Sequence, residues 1–578
     1  MRKLFIAALA LGAMVACNNG MEEVATTPAT GNEVAKLAVS LQTVTTRAYS
    51  YTNGLPAESE VKSIDFYLFA DGAAYNGGAN RVEVNMEKIG DWKPGTEGNN
   101  ITKTSDIILV IAKEKNKVPT HIVALLNATE DYSDLSLTDL QAEVAENLVT
   151  DNGFVMSNSV YDSETNTGVV VATEIKPENI FVDAKSNDTA GTAYTGELEV
   201  KPVKIYVERV AAKVKVSSNV VNNNGFIPVK DAEGKAISNT FIKVLGWEIT
   251  NATSSSYLLK SYATSYAALN NLDAFRSHWA TTYPQTVGHT FTFGEIADLD
   301  ADGEVKASSD ALQLGGYQYY HENTLTATNA EGWFNDVNDV TSKEGYNGGA
   351  TKSPQLIVAA QLVDADGKAK EFGTWYGETY NDVAGLKAAM INNAAKQIFV
   401  IESTDNPETE DVVEPTVYRS INVEDVDFYQ VADDTSYKAE DWNGDFRHEV
   451  RVKAYANKTY FTANKDENGN LIAFTSNDKV TDILQETEPA MIWTSGYTYY
   501  YTLINHYQVN QTQLYGMVRN HVYEVNITGV TGYGTPVYEP LEHIITPEPP
   551  KKQDGFSLTA EINVLSWAVV NQNVNLGN

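Results

Sequence analysis

Apolar residues alternate with small or polar residues along much of this chain, which is the pattern of half-buried β-strands. Near the N-terminus, Leu37, Val39 and Leu41 alternate in this way within the stretch KLAVSLQTVTTRAYS, residues 36–50. The same period of two extends through residues 203–216, VKIYVERVAAKVKV. The pattern therefore predicts a mainly β protein.

Turn signals divide the predicted strands. Residues 355–375 contain two apolar runs joined by Asp-Gly, and residues 459–474 contain two runs joined by Asn-Gly, so both stretches are predicted to be β-hairpins. Many short strands with frequent turns favour β-sandwich domains. At 578 residues the chain exceeds one typical domain. An Asn-rich run at 217–225 predicts a boundary, and the Pro-rich residues 546–555 predict an extended linker.

Only a few segments have helical spacing. Residues 136–148 space Leu and Val at i, i+4 and i+8 behind a capping Ser136, with Asp139 three residues later. Residues 381–396 form a second predicted helix, and residues 261–279 form a third, weaker one. The prediction is a β fold with a few short helices.

Charge narrows the classes of partner. The formal net charge is −34, from 76 acidic and 42 basic residues. Binding to nucleic acid or to anionic membranes draws on Lys and Arg, so this composition argues against both. It favours an exported protein that stays in solution through charge repulsion.

The N-terminus reads as a bacterial lipoprotein leader. Basic residues 2 and 3 precede the apolar stretch Leu4 to Val15, and MVAC places the single cysteine, Cys17, at a lipobox. Met14 departs from the usual Leu, and a plain signal peptide cut near Ala16 is the alternative. If Cys17 carries lipid, the exported chain has no thiol and forms no disulfide. No later apolar run reaches the length of a membrane helix.

Catalytic and metal-binding motifs are missing from the sequence. The eight histidines are scattered without HExxH spacing, and neither G-x-S-x-G, a P-loop nor a dinucleotide fingerprint occurs. The sequence thus predicts no enzyme activity and no cofactor. Asp298, Asp300 and Asp302 imitate the start of a calcium loop, but Ser309 stands where a bidentate Glu is required, so an Asx-rich turn is the favoured interpretation.

An aromatic cluster at residues 492–506 has two interpretations. Exposed, it would be a platform for sugar rings. The alternation places Tyr497, Tyr499 and Tyr501 on one strand face and Tyr500 on the other, which favours packing within a sheet.

Several segments together resemble the Bacteroidetes fimbrillins, the type V pilins, and are most similar to the short-fimbria type of major subunit. The two most specific motifs are V-x-R-x-A-A-K-V at 207–214 and R-N-H-x-Y-x-V-x-I at 519–527. The leader, the arginine at position 47, YYHENT at 319–324 and a final strand containing LSW occur in the same order as in that family.

The resemblance implies two tandem, transthyretin-like β-sandwich domains and export as a lipoprotein to the outer membrane. It implies that an Arg-specific protease cuts between Arg47 and Ala48, which removes the strand carrying Leu37, Val39 and Leu41. A C-terminal strand from another copy would then fill the groove, and this donor would present Phe556, Leu558, Ala560, Ile562, Val564 and Trp567. The implied divisions are a signal peptide (1–17), a propeptide (18–47), an N-terminal domain (48–216), a C-terminal domain with insertions (217–545), and a linker with the donor segment (546–578).

The function implied is that of a structural pilin subunit in cell-surface fimbriae that support adhesion. Its partners would be other copies of the chain, accessory fimbrial subunits, the protease and a receptor on a host or bacterial surface. Two alternatives stay open, namely a monomeric surface lipoprotein that binds glycans and an anchor or tip subunit. From the residues alone, 556–576 could equally complete its own C-terminal domain.

Overall fold

The structure is a computed structural model. It describes residues 35–44, 52, 54–75, 80–88, 92–94, 101–111, 117–159, 172–176, 179–182, 192–193, 203–259, 291–322, 326–328, 334–335, 354–403, 416–438, 446–509, 512–537, 558–559, 562–566 and 568–576. Most of these residues lie in strands, so the predicted mainly β class with a few short helices is confirmed.

The strands up to residue 209 are β1 Ala35–Val44, β2 Ile64–Ala70, β3 Ala73–Ala74, β4 Arg81–Glu83, β5 Lys93–Pro94, β6 Ile101–Ile111, β7 His121–Leu126, β8 Val144–Ala145, β9 Val149–Thr150, β10 Gly153–Phe154, β11 Met156–Asn158, β12 Thr173–Glu174, β13 Ile180–Val182, β14 Thr192–Ala193 and β15 Val203–Arg209. Helix α1 spans Leu137–Ala142, and two 3₁₀ turns span Pro56–Ser59 and Met86–Lys88.

The later strands are β16 Ala211–Ser218, β17 Ile227–Lys230, β18 Ala236–Thr250, β19 Ser256–Tyr257, β20 Tyr317–His321, β21 Thr326–Thr328, β22 Phe334–Asn335, β23 Gln355–Val363, β24 Phe372–Trp375, β25 Glu378–Tyr380, β26 Phe399–Ser403, β27 Val417–Ser420, β28 Val426–Gln430, β29 Arg447–Ala454, β30 Phe461–Lys465, β31 Leu471–Ala473, β32 Ala490–Trp493, β33 Tyr497–Leu503, β34 Asn505–Val509, β35 Thr512–Tyr515, β36 His521–Thr531, β37 Thr535–Pro536, β38 Leu558–Thr559, β39 Ile562–Ser566 and β40 Ala568–Leu576. Helices α2, α3 and α4 span Phe293–Ala297, Val383–Ile391 and Asn477–Leu484, and a 3₁₀ turn spans Ala394–Lys396.

Two large sheets organise the described residues. The first runs β14-β6-β1-β15-β11-β7-β2-β3, with β4, β5, β12 and β13 paired along it. The second runs β37-β33-β23-β18-β17-β36-β39-β40-β38, and β16 and β20 join it beside β36. Smaller sheets are β25-β24-β32-β29-β28, β27-β26-β30-β31 and β22-β21-β35-β34, and two short pairs are β10-β9 and β19-β8. The chain passes from the first large sheet to the second at Val210, between β15 and β16.

Each large sheet carries its own apolar core. The core of the first includes Phe66, Leu109 and Ile205, and the core of the second includes Trp247 and Tyr523. A third cluster packs α3 and α4 against the two sheets formed by β24 to β32. The predicted domains 48–216 and 217–545 stay a prediction, and the change of sheet lies a few residues before their boundary.

The helix predictions are confirmed in part. Ser136 caps α1, because its side chain accepts a hydrogen bond from the amide of Asp139. The helix ends at Ala142, so the predicted continuation to residue 148 is wrong: Val144 and Ala145 instead pair with β19. The predicted helix at 381–396 is present as α3 and the following 3₁₀ turn. The prediction for 261–279 lies outside the described residues.

One hairpin prediction is confirmed and one is corrected. Residues 459–474 form the antiparallel pair β30 and β31. In residues 355–375 the turn forms, since the amide of Gly367 donates to the carbonyl of Asp364 at 3.1 Å. Its long strands separate, however, because β23 pairs with β18 and β33 whereas β24 pairs with β25 and β32.

Candidate functional site

The first strand, β1, occupies an interior position of the first sheet. It runs antiparallel to β6, with Leu37 opposite Leu109, and parallel to β15, with Leu41 opposite Ile205. Its N-terminal end also pairs with β13. Both edges of β1 are therefore paired. The strand predicted at this place from alternation is present, and its removal by a protease stays a prediction.

The two strands that flank β1 are anchored in the core. Ile107 and Leu109 of β6 and Val203, Ile205 and Val207 of β15 are all buried within the same apolar cluster. Residues at neighbouring register positions share a face of a sheet. Positions 37, 39 and 41 therefore lie on the face that carries this core, as the alternation predicts.

The other predicted processing residues lie outside the described part of the chain. They are Cys17, Arg47 and Ala48. Within the described residues, the chain resumes at residue 52 and reaches a 3₁₀ turn at Pro56–Ser59 before β2. The sites of lipidation and cleavage therefore stay predictions from the sequence.

The C-terminal strands pair within their own chain. β39 runs antiparallel to β36, with Tyr523 opposite Val564, and β40 runs parallel to it, with Ile527 opposite Val574. β39 and β40 also pair with each other, and β38 pairs with the end of β40. Of the predicted donor residues, Leu558, Ile562 and Val564 fall in these strands, whereas Phe556, Ala560 and Trp567 lie outside the described residues. In this single chain the segment thus occupies the alternative position that the sequence left open.

A buried polar cluster joins the two large sheets where β15 meets β16. The guanidinium of Arg209 donates to the carbonyl of Glu58 at 2.5 Å and to Oδ1 of Asn520 at 2.8 Å. Lys213 Nζ lies 2.6 Å from Glu58 Oε1, and the Tyr319 hydroxyl donates to the same oxygen at 2.5 Å. Glu58 is only 1% exposed. We call these five residues the first junction.

The first junction keeps Glu58 ionised. Burial, the largest influence, raises the pKa of its carboxyl, but hydrogen bonds from Lys213 and Tyr319 outweigh burial, and the net pKa lies below its ordinary value. The same hydrogen bond raises the pKa of Tyr319 on top of the effect of burial. A carboxylate in so enclosed a place is stable only while its partners stay in contact.

A second junction centres on a fully buried ion pair. Arg519 Nε donates to Glu322 Oε1 at 2.5 Å, the Arg519 amide donates to Oε2 at 3.1 Å, and both side chains are 0% exposed. The guanidinium also donates to the carbonyl of Leu258 at 3.1 Å and lies 3.4 Å from the Ser157 hydroxyl of the first sheet. A further bond reaches the carbonyl of Tyr257. These contacts connect the segment just before β36 and the residue after β20 with β19, the residue after it, and β11.

His321 adds a neutral hydrogen-bonded bridge beside the second junction. Its ring lies 3.1 Å from the Ser256 hydroxyl and 3.2 Å from the carbonyl of Glu146. Burial lowers its pKa to about 4. The neutral ring satisfies both contacts when Nε2–H donates to the carbonyl and Nδ1 accepts from the hydroxyl.

The motif residues of the sequence therefore meet at the two junctions. Arg209 and Lys213 come from the first motif, Arg519 and Asn520 from the second, and the residues at 319–322 from YYHENT. Their structural role was not predicted from the sequence, and neither was the part played by Glu58 and Ser157. An available signal was the placement of Arg and Lys inside an apolar strand, because a buried cation requires a buried acceptor.

The two remaining candidate sites have structural roles. Tyr497 and Tyr499 pack in one apolar cluster and Tyr500 in another, and all three are buried, so the interpretation as sheet packing is confirmed. Asp300 Oδ1 accepts the amides of Asp302 and Glu304, each at 3.0 Å, which is an Asx turn. The carboxylate of Asp298 binds Lys306 and the amide of Asp310. Among the described residues, no group of three or more His, Cys, Asp or Glu side chains is placed to hold a metal ion.

In the part of the chain that the structure describes, no helix is both long enough and apolar enough to span a membrane.

Comparison with known proteins identifies one family. Residues 491–573 match the family described as major fimbrial subunit protein type IV, fimbrillin, C-terminal. This match covers the aromatic strand β33, the second motif and most of the C-terminal strands. No curated protein matches the chain.

Solved structures with distant similarity include fimbrial proteins. A fimbrilin from Porphyromonas gingivalis W83 is 13% identical, covers 94% of this chain and 96% of its own, and has a TM-score of 0.31. A fimbrial assembly protein from Parabacteroides distasonis is 11% identical, covers 57% and 83%, and has a TM-score of 0.25. The tip fimbrial protein Mfa3 from Porphyromonas gingivalis is 12% identical, covers 68% and 93%, and has a TM-score of 0.21. At these scores the similarity carries no argument about this chain.

Proposed function

We propose that this chain is a fimbrillin that polymerises into surface fimbriae, and that proteolysis followed by exchange of a β-strand drives its assembly. The observation that carries the proposal is the interior position of β1, upstream of Arg47 and between β6 and β15. The match of residues 491–573 to the fimbrillin family supports it from the other end of the chain.

The proposed sequence of events begins at the membrane. Lipid on Cys17 holds the precursor at the outer membrane, and β1 completes the first sheet. An Arg-specific protease then cuts after Arg47 and releases β1 together with the lipid. Removal of an interior strand leaves two unpaired edges and an open apolar core, which is a template for strand addition.

A C-terminal strand of another copy then takes the place of β1. Phe556, Leu558, Ala560, Ile562 and Val564 alternate with mostly polar residues, which is the period that a half-buried position requires. The Pro-rich residues 546–555 are the tether that lets this strand reach another molecule. A head-to-tail contact of this kind does not close on itself and generates a filament.

The proposed role is structural rather than enzymatic, and it needs no cofactor. Its partners are further copies, accessory fimbrial subunits, the protease and a surface receptor. The alternative of a glycan-binding monomer relied on the tyrosine cluster, whose members Tyr497, Tyr499 and Tyr500 are buried. An anchor subunit differs in one measurable respect, because it would keep its lipid on Cys17.

The test is to replace the residue at the cleavage site. We expect Arg47→Ala to remain a lipidated monomer, because β1 stays in its place in the first sheet. Lys62→Ala is the matched control, since Lys62 is an exposed basic residue just before β2; it should mature normally, with Ala48 at its N-terminus. Mass spectrometry of surface filaments reads both termini. Normal filaments from Arg47→Ala would refute cleavage at this site.

A further inference from the structure

We propose that the hairpin formed by β24 and β25 contributes to a groove that binds a lysine or arginine side chain of a partner polypeptide. The groove is lined by Thr374, Trp375, Tyr376, Glu449, Glu488 and Met491, among others, and has a volume of about 410 Å³. We call it the aromatic groove. It lies far along the chain from β1 and takes no part in the proposed strand exchange.

The turn holds Tyr376 in an unfavourable backbone conformation. Trp375 is paired with Glu378 across the hairpin, so Tyr376 and Gly377 form a two-residue turn with φ values of 48° and 81°. Such a turn favours Asn or Asp before Gly, and a bulky residue at positive φ is strained. The Tyr376 side chain is also 65% exposed, so burial does not compensate this strain.

The two aromatic rings are fixed in position by one residue. The Trp375 indole donates to the carbonyl of Glu488 at 3.0 Å, and the Glu488 amide donates to the Tyr376 hydroxyl at 3.1 Å. The ring centroids lie 4.8 Å apart with the planes inclined at 59°. The indole N–H thus has an acceptor, and the Tyr376 hydroxyl accepts a hydrogen bond. What the rings offer to a ligand is their faces.

Charge identifies the ligand. Glu449 and Glu488 are exposed carboxylates on the lining, and neither forms an ion pair with any described residue. Among the described residues, no Lys, Arg or His lines the groove. Arg451, two residues along β29 from Glu449, donates to the carbonyls of Gln485 and Thr487 instead. Aromatic faces beside unpaired carboxylates attract a cation, and the net charge of −34 attracts cationic partners to the whole molecule.

The test uses the purified full-length chain and blocked tripeptides with a central arginine or lysine. Saturation-transfer NMR measures their affinity against the neutral isosteres citrulline and acetyl-lysine. We expect the charged peptides to bind about two- to fivefold more tightly than the neutral ones. Glu449→Gln combined with Glu488→Gln should abolish this preference. Tyr376→Asn, which suits the turn and keeps it folded, should weaken binding of the charged peptides by a similar factor.

Glu378→Gln is the matched control, because Glu378 is an exposed carboxylate of the same hairpin that does not line the groove; its binding should equal that of the unaltered chain. Equal binding of charged and neutral peptides would overturn the proposal. So would retention of the preference by the double Gln variant. Binding of a neutral methyl glycoside that displaces the peptides and survives the Gln substitutions would assign the groove to carbohydrate instead. Because the assay reads single chains, its result does not depend on polymerisation.

Discussion

Replacing Arg519 by methionine tests whether the second junction stabilises the fold. The change removes the guanidinium but leaves the Glu322 carboxylate, which is 0% exposed. Of the two hydrogen bonds that residue 519 donates to this carboxylate, only the one from the backbone amide remains. Removing one partner of a buried ion pair typically costs about 3–5 kcal/mol, because the other charge stays buried without compensation. We expect Arg519→Met to lower the free energy of unfolding by that amount.

The matched control is Lys306→Met. Lys306 pairs with Asp298, but its side chain is 48% exposed, and exposed ion pairs contribute little to stability because water screens them. Urea denaturation followed by tryptophan fluorescence and far-ultraviolet circular dichroism gives the unfolding midpoint of each variant. The midpoint of Arg519→Met should fall well below that of Lys306→Met.

A double variant distinguishes the stability lost with the ion pair from the cost of leaving the Glu322 carboxylate buried without a partner. Adding Glu322→Gln to Arg519→Met removes the charge that the single change leaves unpaired, so part of the lost stability should return. If the single variant is no less stable than Lys306→Met, the buried pair does not hold the junction together. If the double variant is less stable than the single one, the stranded carboxylate is not the source of the cost.

Three further predictions follow from individual contacts. Burial lowers the pKa of His321 to about 4 from an ordinary value of 6.5, so the unfolded chain binds a proton at this side chain at a higher pH than the folded chain does. Stability should therefore fall as the pH drops from about 6.5 to about 4. His321→Asn should flatten this part of a curve of stability against pH. Gly303→Ala should destabilise more than Gly469→Ala in thermal melts: both glycines have positive φ, but an added Cβ at Gly303 would clash with the Phe446 ring whereas one at Gly469 meets nothing within 4 Å. After cleavage at residue 47, hydrogen exchange should rise in both β6 and β15, because each strand loses its pairing with β1; unchanged protection of either strand would contradict the interior role of β1.

The strands were predictable from sequence because their signal is local. Alternation places β1, β15, β16 and β33 correctly, since a strand with one buried face shows its period of two wherever it packs. Helix α1 shows the limit of prediction from local sequence. Its N-terminal cap was predicted correctly. The predicted continuation beyond Ala142 was wrong, because Val144 and Ala145 pair with Ser256 and Tyr257, more than a hundred residues away. Likewise, a turn between β23 and β24 does not reveal that the two strands join different sheets.

The junctions were not predictable for the same reason. Arg209 and Glu58 are 151 residues apart, and Arg519 and Ser157 are 362 residues apart. In a chain with 76 acidic residues, nothing local distinguishes the carboxylate that Lys213 contacts from the many that face water. What the sequence does contain is the constraint itself: a cation within an apolar strand must find a buried acceptor.

The sheet topology indicates which pairings the proposed strand exchange would break and which it would form. Within their own chain, β39 and β40 pair with one another and with one edge of β36. The opposite edge of β36 is paired with β16 and β17. A donated strand in the place of β1 would likewise be paired on both edges, with β6 along one side and β15 along the other. It would also cover the apolar core on which positions 37, 39 and 41 lie. At about 1.5–3 kcal/mol for each large side chain buried, three such positions contribute about 5–9 kcal/mol. The proposed exchange would therefore fill the open place between β6 and β15, while β36 would keep its pairing with β16 and β17 in the second sheet.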